Sequence, residues 1–261
     1  MATSPLNPKH AVRKLLAKRG YEFSRIEKPT SHKPPVELSV QELAIVEDVL
    51  SQNLTMVSRH RLWSTILACK HALDQQIEGD FVECGVWRGG NSIAAAELFR
   101  LHDSKRSVWL FDTFAGMTPP TIHDVKTHSG IPAAARHLEM QQATHNEWCY
   151  ASLDDVKSNF ARRGLGPNVH LVAGDVSQTL EGDLLPDKIA ILRLDTDFYD
   201  STRKELEVLY PRLSIGGCLL IDDYGHWSGA RKATDEYFNQ ARNRPFLQYV
   251  DSTGRTAVKV K

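Results

Sequence analysis

Two apolar runs that each end on a pair of aspartates constrain this chain more than any other feature. Ile189 to Leu194, interrupted only by Arg193, stops at Asp195-Thr196-Asp197, and Cys218 to Ile221 stops at Asp222-Asp223. Each run has the length of a strand buried on both faces of a sheet. Between them, Asp200 or Ser201 can cap a helix whose Leu206, Leu209 and Leu213 share one side, and Gly216-Gly217 breaks the chain before the second run. Strand, helix and strand in this order predict a βαβ unit with a right-handed connection, which puts both acidic clusters on one edge. In open α/β sheets that edge, at the carboxyl ends of parallel strands, is where ligands bind.

Carboxylates crowded in this way repel one another and raise one another's pKa unless a positive charge sits among them. A hard divalent cation answers the need. Magnesium takes a few carboxylates together with water and substrate oxygens, which matches Asp195, Asp222 and Asp223. A single aspartate at a strand end more often caps a helix or faces solvent, but the set favours the metal.

The 261 residues, 41% hydrophobic and 25% charged, suffice for one well-buried α/β domain with an appendage. With 32 basic and 32 acidic side chains and no dense basic stripe, nucleic acid is not expected as a partner. Cys69, Cys84, Cys149 and Cys218 show neither CxxC nor zinc-ligand spacing, which fits a reducing, cytoplasmic setting. No apolar run reaches the length of a membrane span and the start does not read as a signal peptide, so a soluble protein is expected.

Before the first acidic residue, Glu22, the chain carries Lys9, Arg13, Lys14, Lys18 and Arg19. This basic arm reads as solvated, or as a short contact helix striped by Val12, Leu15 and Leu16, rather than as a transit peptide. Residues 28 to 35 form a Pro-rich linker. Ser39 to Leu50 and Ser58 to Leu73 have helical periodicity and are expected to pack over the ligand edge as a lid. Residues 1–75 would then be arm and lid, and 76–261 the catalytic domain.

Phe81 to Cys84 runs as a strand into the Gly-rich turn Gly85 to Gly90 and an Ala-rich helix, an arrangement in which small residues let a ligand approach the backbone. The spacing is not GxGxxG. Glu83-x-Gly85-x-x-x-Gly89 is closer to the first motif of class I methyltransferases, which bind S-adenosylmethionine. A second strand, Ser107 to Phe111, ends at Asp112, placed to accept hydrogen bonds from both ribose hydroxyls of an adenosine, whether of NAD or of S-adenosylmethionine. A third, Val169 to Val172, ends at Gly174-Asp175 after a helix announced by the capping pair Ser152 and Asp155. Asp175 can meet the adenine amino group. Residues 244–261, with Phe246, Tyr249, Val250 and the alternating Ala257 to Val260, read as a closing hairpin. The expected fold is a doubly wound, Rossmann-like α/β sheet of seven strands, the class I methyltransferase type.

Pro119 to Tyr150 is long and polar, and loops of this length are usually functional, so the segment is expected to be a mobile lid that binds the acceptor. Its His123, His128, His137 and His145 lack a metal-site spacing and read as surface histidines.

Five motifs in order resemble the macrocin O-methyltransferase (TylF) family: Glu83 to Gly90, Phe111 to Gly116, Gly174 to Val176, Leu194 to Asp197 and Ile221 to Tyr224. The similarity spans roughly residues 50 to 245 and includes Thr55-Met56 with Arg59 and Arg61, a segment that contributes to the cofactor site in that family. The resemblance implies an enzyme that uses S-adenosylmethionine and magnesium to methylate a sugar hydroxyl of a glycosylated natural product, in secondary metabolism. By position it places Glu83, Gly85 and Ser92 at the methionine end of the cofactor, Asp112 at the ribose, and Asp175 with Val176 at the adenine. Thr55, Met56, Arg88, Thr113 and Asp195 complete the cofactor contacts. Asp195, Asp222 and Asp223 would hold magnesium, with Asp195 also the base; Asp197 and His226 compete for that role. The partner implied is a small hydroxyl acceptor, a glycoside, and a homo-oligomer is expected.

Two other readings are open to the same residues. Asp195-Thr196-Asp197 followed by Asp222-Asp223 resembles the first and last motifs of haloacid-dehalogenase-type phosphatases, whose first aspartate is a nucleophile. Only 24 residues separate Asp197 from Asp222, too few for the core those motifs enclose. The other is a methyltransferase-like binding protein without catalysis, against which the full set of acidic positions speaks.

Overall fold

The computed structural model describes residues 33–240 and 244–260, and the sheet with all its helices belongs to the unit Pro35–Lys261. The basic arm and most of the Pro-rich linker lie outside the described residues.

Seven strands form one sheet: β1 (Asp80–Cys84), β2 (Val108–Asp112), β3 (Val169–Ala173), β4 (Ile189–Leu194), β5 (Leu213–Ile221), β6 (Gln248–Tyr249) and β7 (Arg255–Val258). Their order across the sheet is β3-β2-β1-β4-β5-β7-β6. The first five pair in parallel, and β7 runs antiparallel to both β5 and β6. This is the doubly wound arrangement expected, with the chain reversing its direction of travel at β1 and β4. The crevice over that reversal is where such sheets take ligands.

Side-chain alternation sorts the strands onto two cores. Phe81, Ile191 and Leu220 face α1 (Val40–Ser51), α2 (Arg59–Asp74) and α3 (Gly90–Leu101), packing with Val46, Leu62, Ile66 and Ile93. Val82, Leu192 and Ile221 face the other way. That side carries the short helix α6 (Val176–Thr179), α7 (Tyr199–Leu209) and α8 (Ser228–Gln240), and packs against Leu206, Leu209 and Phe238. Ser39 caps α1 in a full capping box with Glu42, and Ser58 caps α2. These two helices are part of the core, and what they contribute at the ligand edge is the connection between them and Arg61.

Three boundaries differ from expectation. Helix α7 starts at Tyr199, ahead of Asp200 and Ser201, and its N-terminus is capped from a distance: Tyr199 N–H donates to Asp124 Oδ1 at 2.8 Å. Leu213 belongs to β5, which begins before Gly216-Gly217 and continues through them. The segment 119–150 is not a loose loop. It holds the helix α4 (Ala133–Glu139), bridges Lys126 to Trp227, and buries Asp124, Ala133, Asn146 and Trp148. Ser152 caps the next helix, α5 (Leu153–Ala161), as the Ser152/Asp155 pair predicts.

Candidate active site

A cavity of about 290 Å³ opens along the carboxyl edge of the sheet. Its wall takes Gly85 to Trp87 from the turn after β1, Phe111 to Thr113 from β2, Gly174 and Val176 from beyond β3, and Thr55, Met56 and Val57 from the α1–α2 connection. Asp195, Thr196, Asp197, Asp222, Asp223 and His226 close the other end beneath Trp148 and Trp227.

The glycines of the turn are required by the protein's own backbone. Gly85 has φ +78°, and a Cβ there would lie 2.1 Å from the carbonyl oxygen of Asp195, so the turn after β1 presses directly on the loop after β4. At Gly90 a Cβ would lie 2.5 Å from Leu54 O, the atom to which Gly90 N–H donates. This contact brings Thr55 and Met56 to the cavity.

Asp112 organises the same corner. Its Oδ2 accepts from the backbone N–H of Val86 at 2.7 Å and of Trp87 at 3.3 Å, and its Oδ1 from Phe114 at 2.8 Å. Burial pushes its pKa up despite these bonds. A carboxylate has lone pairs beyond those three bonds, so Asp112 can hold the loop and still meet a ribose.

Of the residues expected around the cofactor, Thr55, Met56, Gly85, Asp112, Thr113, Val176 and Asp195 line the cavity, and Glu83, Arg88, Ser92 and Asp175 do not. Each of the four is engaged elsewhere. Glu83 and Ser92 are fully buried beneath the turn, where the Ser92 hydroxyl donates to Glu83 Oε2. Arg88 reaches Asp155 at 2.9 Å and Asn53 O at 3.0 Å, clamping the turn to α5. Asp175 caps α6 by accepting from Ser177 N–H.

The acidic end is built around Arg193, only 1% exposed near the C-terminal end of β4. Its Nη1 donates to Glu83 Oε1 at 2.6 Å and to Asp195 Oδ2 at 2.7 Å, and its Nη2 donates to Asp222 Oδ1. Arg61 takes the other oxygen of Asp222 and lies 3.2 Å from Asp251. Burial works against the charge of Arg193, but Asp195, Asp222 and Glu83 outweigh it and raise its pKa. The sequence signal for this hub is a lone arginine inside an otherwise apolar strand, a position where a charge persists only if it is paired.

With both Asp222 oxygens engaged by arginines, the carboxylates that converge are Asp195, Asp197 and Asp223, with one oxygen of each within 4.8 Å of the others. Asp222, expected as a ligand, stands beside this group, and Asp197 stands within it. Asp197 is held there at φ +70°, an uncommon conformation for a residue other than glycine. Burial first, then the neighbouring carboxylates, raises Asp195 and Asp223 well above the usual range and takes Asp197 to about 7. Asp223 Oδ2 is buried without a hydrogen-bond partner. Three acidic oxygens with a free buried lone pair among them fit a hard cation. His226, in the same wall, has its pKa lowered by burial and by Lys126, which favours the neutral imidazole.

The family model that matches, macrocin O-methyltransferase (TylF), covers residues 7–257. The chain belongs to this family. It is 37% identical, over 77% of its length and 73% of the other's, to the 8-demethyl-8-(2,3-dimethoxy-α-L-rhamnosyl)-tetracenomycin-C 4'-O-methyltransferase of Streptomyces olivaceus. It is 34% identical to the demethyldecarbamoylnovobiocin O-methyltransferase of Streptomyces niveus, over 70% of this chain and 67% of that one. The solved structure of the O-methyltransferase NovP superposes with a TM-score of 0.68 at 30% identity, covering 80% of this chain and 83% of that one. The protein is therefore an S-adenosylmethionine-dependent O-methyltransferase with the class I fold, and the phosphatase reading falls. Family membership also extends the likeness beyond residues 50 to 245 in both directions. No described helix is long and apolar enough to cross a membrane.

Proposed function

We propose that this methyltransferase acts on a sugar hydroxyl of a glycosylated small molecule and that magnesium binds at its carboxylate cluster. The observation that carries the reading is that one cavity joins the cofactor crevice over β1, β2 and β3 to the acidic end over β4 and β5. The two curated relatives support the acceptor class, since one acts on a rhamnosyl-tetracenomycin and another on demethyldecarbamoylnovobiocin.

S-Adenosylmethionine supplies the methyl group. Gly85, Asp112, Thr113, Val176 and Met56 would hold it, while Glu83, Ser92 and Arg88 act from behind the wall by fixing the turn after β1. Asp195, Asp197 and Asp223 would hold the cation, with Asp222 keeping the two arginines in register beside them. Magnesium bound there would orient an acceptor hydroxyl and make it more acidic. Asp195 faces the cavity beside the cation set, where its carboxylate would take the hydroxyl proton. Methyl transfer is an in-line displacement, so the protein's other work is alignment and exclusion of water, to which the buried, cavity-lining Trp148 and Trp227 would contribute. A homo-oligomer belongs to the same reading and is measured by light scattering.

The test is methyl transfer from S-adenosylmethionine to a panel of glycosides, with products read by mass spectrometry, repeated in EDTA and after added magnesium. Transfer to glycoside hydroxyls that is lost in EDTA and restored by magnesium is expected. Full activity without metal would remove the cation from the proposal, and transfer only to hydroxyls outside sugars would remove the acceptor class.

A further inference from the structure

The acceptor end of the cavity has an acidic floor and a cationic wall. Lys126 and Arg136, both from the 119–150 segment, line the cavity, and neither forms an ion pair among the described residues. Other arginines at this edge are engaged: Arg193 with three carboxylates, Arg61 with two, Arg88 with one. What holds Lys126 and Arg136 is aromatic. The Lys126 ammonium lies 6.0 Å from the ring centroid of Trp227, and the Arg136 guanidinium 4.6 Å from that of Trp148.

The two rings are neighbours, 5.8 Å apart and both buried, and they pack with Phe198 in a single cluster. Their backbones are fixed as well. Lys126 bridges to Trp227 across the segment's junction with α8, and the nearby Asp124 is completely buried. Two cations are thus positioned on one aromatic cluster, Arg136 exposed and Lys126 half-buried, with no described carboxylate paired to either. A wall that met only neutral sugar hydroxyls would be served by paired amides and carboxylates, whereas unpaired ammonium and guanidinium donors complement an anion.

We propose that Lys126 and Arg136 form a subsite for an anionic group on the acceptor, a phosphate or a carboxylate attached to the sugar that is methylated. This rests on the function proposed above and narrows it. The hydroxyl goes to the acidic floor and the anion to the Trp148–Trp227 wall, so the acceptor is bound by its two ends and its orientation is set before the methyl group is reached.

The experiment compares acceptors that share one sugar: its neutral methyl glycoside, its 1-phosphate, its nucleoside diphosphate ester and its glycoside of an aromatic carboxylic acid. For the wild-type chain, kcat/KM for at least one of the anionic forms should exceed that for the neutral glycoside by about tenfold or more, and which form is favoured identifies the source of the anion. The same ratio should fall by about tenfold in Lys126→Ala and in Arg136→Ala, mainly through KM. Binding of the sugar 1-phosphate to the S-adenosylhomocysteine-loaded protein in EDTA, followed by calorimetry, gives a readout independent of turnover. Equal use of neutral and anionic acceptors, or a ratio unmoved by both substitutions, would overturn the subsite while leaving the O-methyltransferase of glycosides in place. Phosphate binding that requires Lys126 and Arg136 in a protein that methylates no glycoside would do the reverse.

Discussion

Glu83 and Arg193 face each other as register partners on β1 and β4, 110 residues apart in sequence, with the guanidinium 2.6 Å from the carboxylate. The pair lies on the α1–α3 side of the sheet, the same side as Asp195 and Asp222, because strand side chains alternate and each position lies an even number of residues beyond Phe81, Ile191 or Leu220, which face those helices. One buried cation therefore ties the end of β1, which leads into the Gly85–Gly90 turn, to the carboxylates that follow β4 and β5.

Removing that cation leaves Glu83 and Asp195 without a paired cation and Asp222 with Arg61 alone. Arg193→Met is expected to lower the unfolding free energy by about 3–5 kcal/mol, the usual result when one partner of a buried ionic group is deleted. Combining it with Glu83→Gln should recover part of the loss, since one of the uncompensated charges is then gone. Urea denaturation measures both. A loss for Arg193→Met no larger than that of a surface substitution would show that the ionic hub does not hold this edge together.

Metal binding separates the aspartates. Asp197→Asn and Asp223→Asn are expected to weaken magnesium binding by about tenfold or more, and to leave S-adenosylhomocysteine affinity nearly intact because the cofactor corner lies over β1, β2 and β3. Asp222→Asn, whose oxygens meet Arg193 and Arg61, should instead show its main effect in thermal stability. Calorimetric titration with magnesium, alongside melting curves, distinguishes the two outcomes. If Asp222→Asn lost magnesium while Asp197→Asn kept it, the cation would be held by the set expected from sequence.

Glu205 makes stability depend on pH. It is fully buried in α7, its Oε1 accepts from the Thr196 hydroxyl at 2.8 Å, and its Oε2 has no partner. Burial pushes its pKa up to about 8, whereas an unfolded glutamate titrates at about 4.3. Between those values the folded protein keeps a proton that the unfolded chain has released, so this group's contribution is full below about pH 4.3 and is lost as the pH rises toward 8. Glu205→Gln keeps the Thr196 bond and removes the titration. It should raise stability at pH 8 by ~1 kcal/mol or more and leave that at pH 4.5 nearly unchanged. Melting temperatures at the two pH values check this; equal shifts at both would mean that titration of Glu205 is not the cause.

Asp124 anchors the 119–150 segment. Besides capping α7, it accepts from Thr121 N–H at 2.6 Å and from the Thr121 hydroxyl at 2.8 Å. Asp124→Ala is expected to cost about 0.5–2 kcal/mol for the lost cap alone. It should also speed amide exchange across residues 119–150 and the first turn of α7 while β1 and β4 stay protected. Uniform acceleration throughout the sheet would indicate global destabilisation instead of a released segment.

The sheet and its ligand edge were determined locally and so could be read from the chain alone. Apolar runs of strand length that stop at Cys84, Asp112, Gly174, Asp195 and Asp222 need only the alternation of buried segments with helices to line up, and the five motifs attached to them name the family. Ser39, Ser58 and Ser152 cap helices for the same reason, since a cap is made within four residues. What tertiary structure decided are the pairings that cross the chain. Arg193 becomes a hub only when β1 and β5 lie on either side of β4, and it is this packing that draws Asp222 away and leaves Asp197 with Asp195 and Asp223. Asp124 caps α7 from 75 residues away. Lys126 and Arg136 read as ordinary polar positions in a long loop until folding lays them on Trp227 and Trp148. The strength of a charge–charge or cation–aromatic contact depends on distance and on exclusion of water, and neither exists until segments far apart in sequence have packed together.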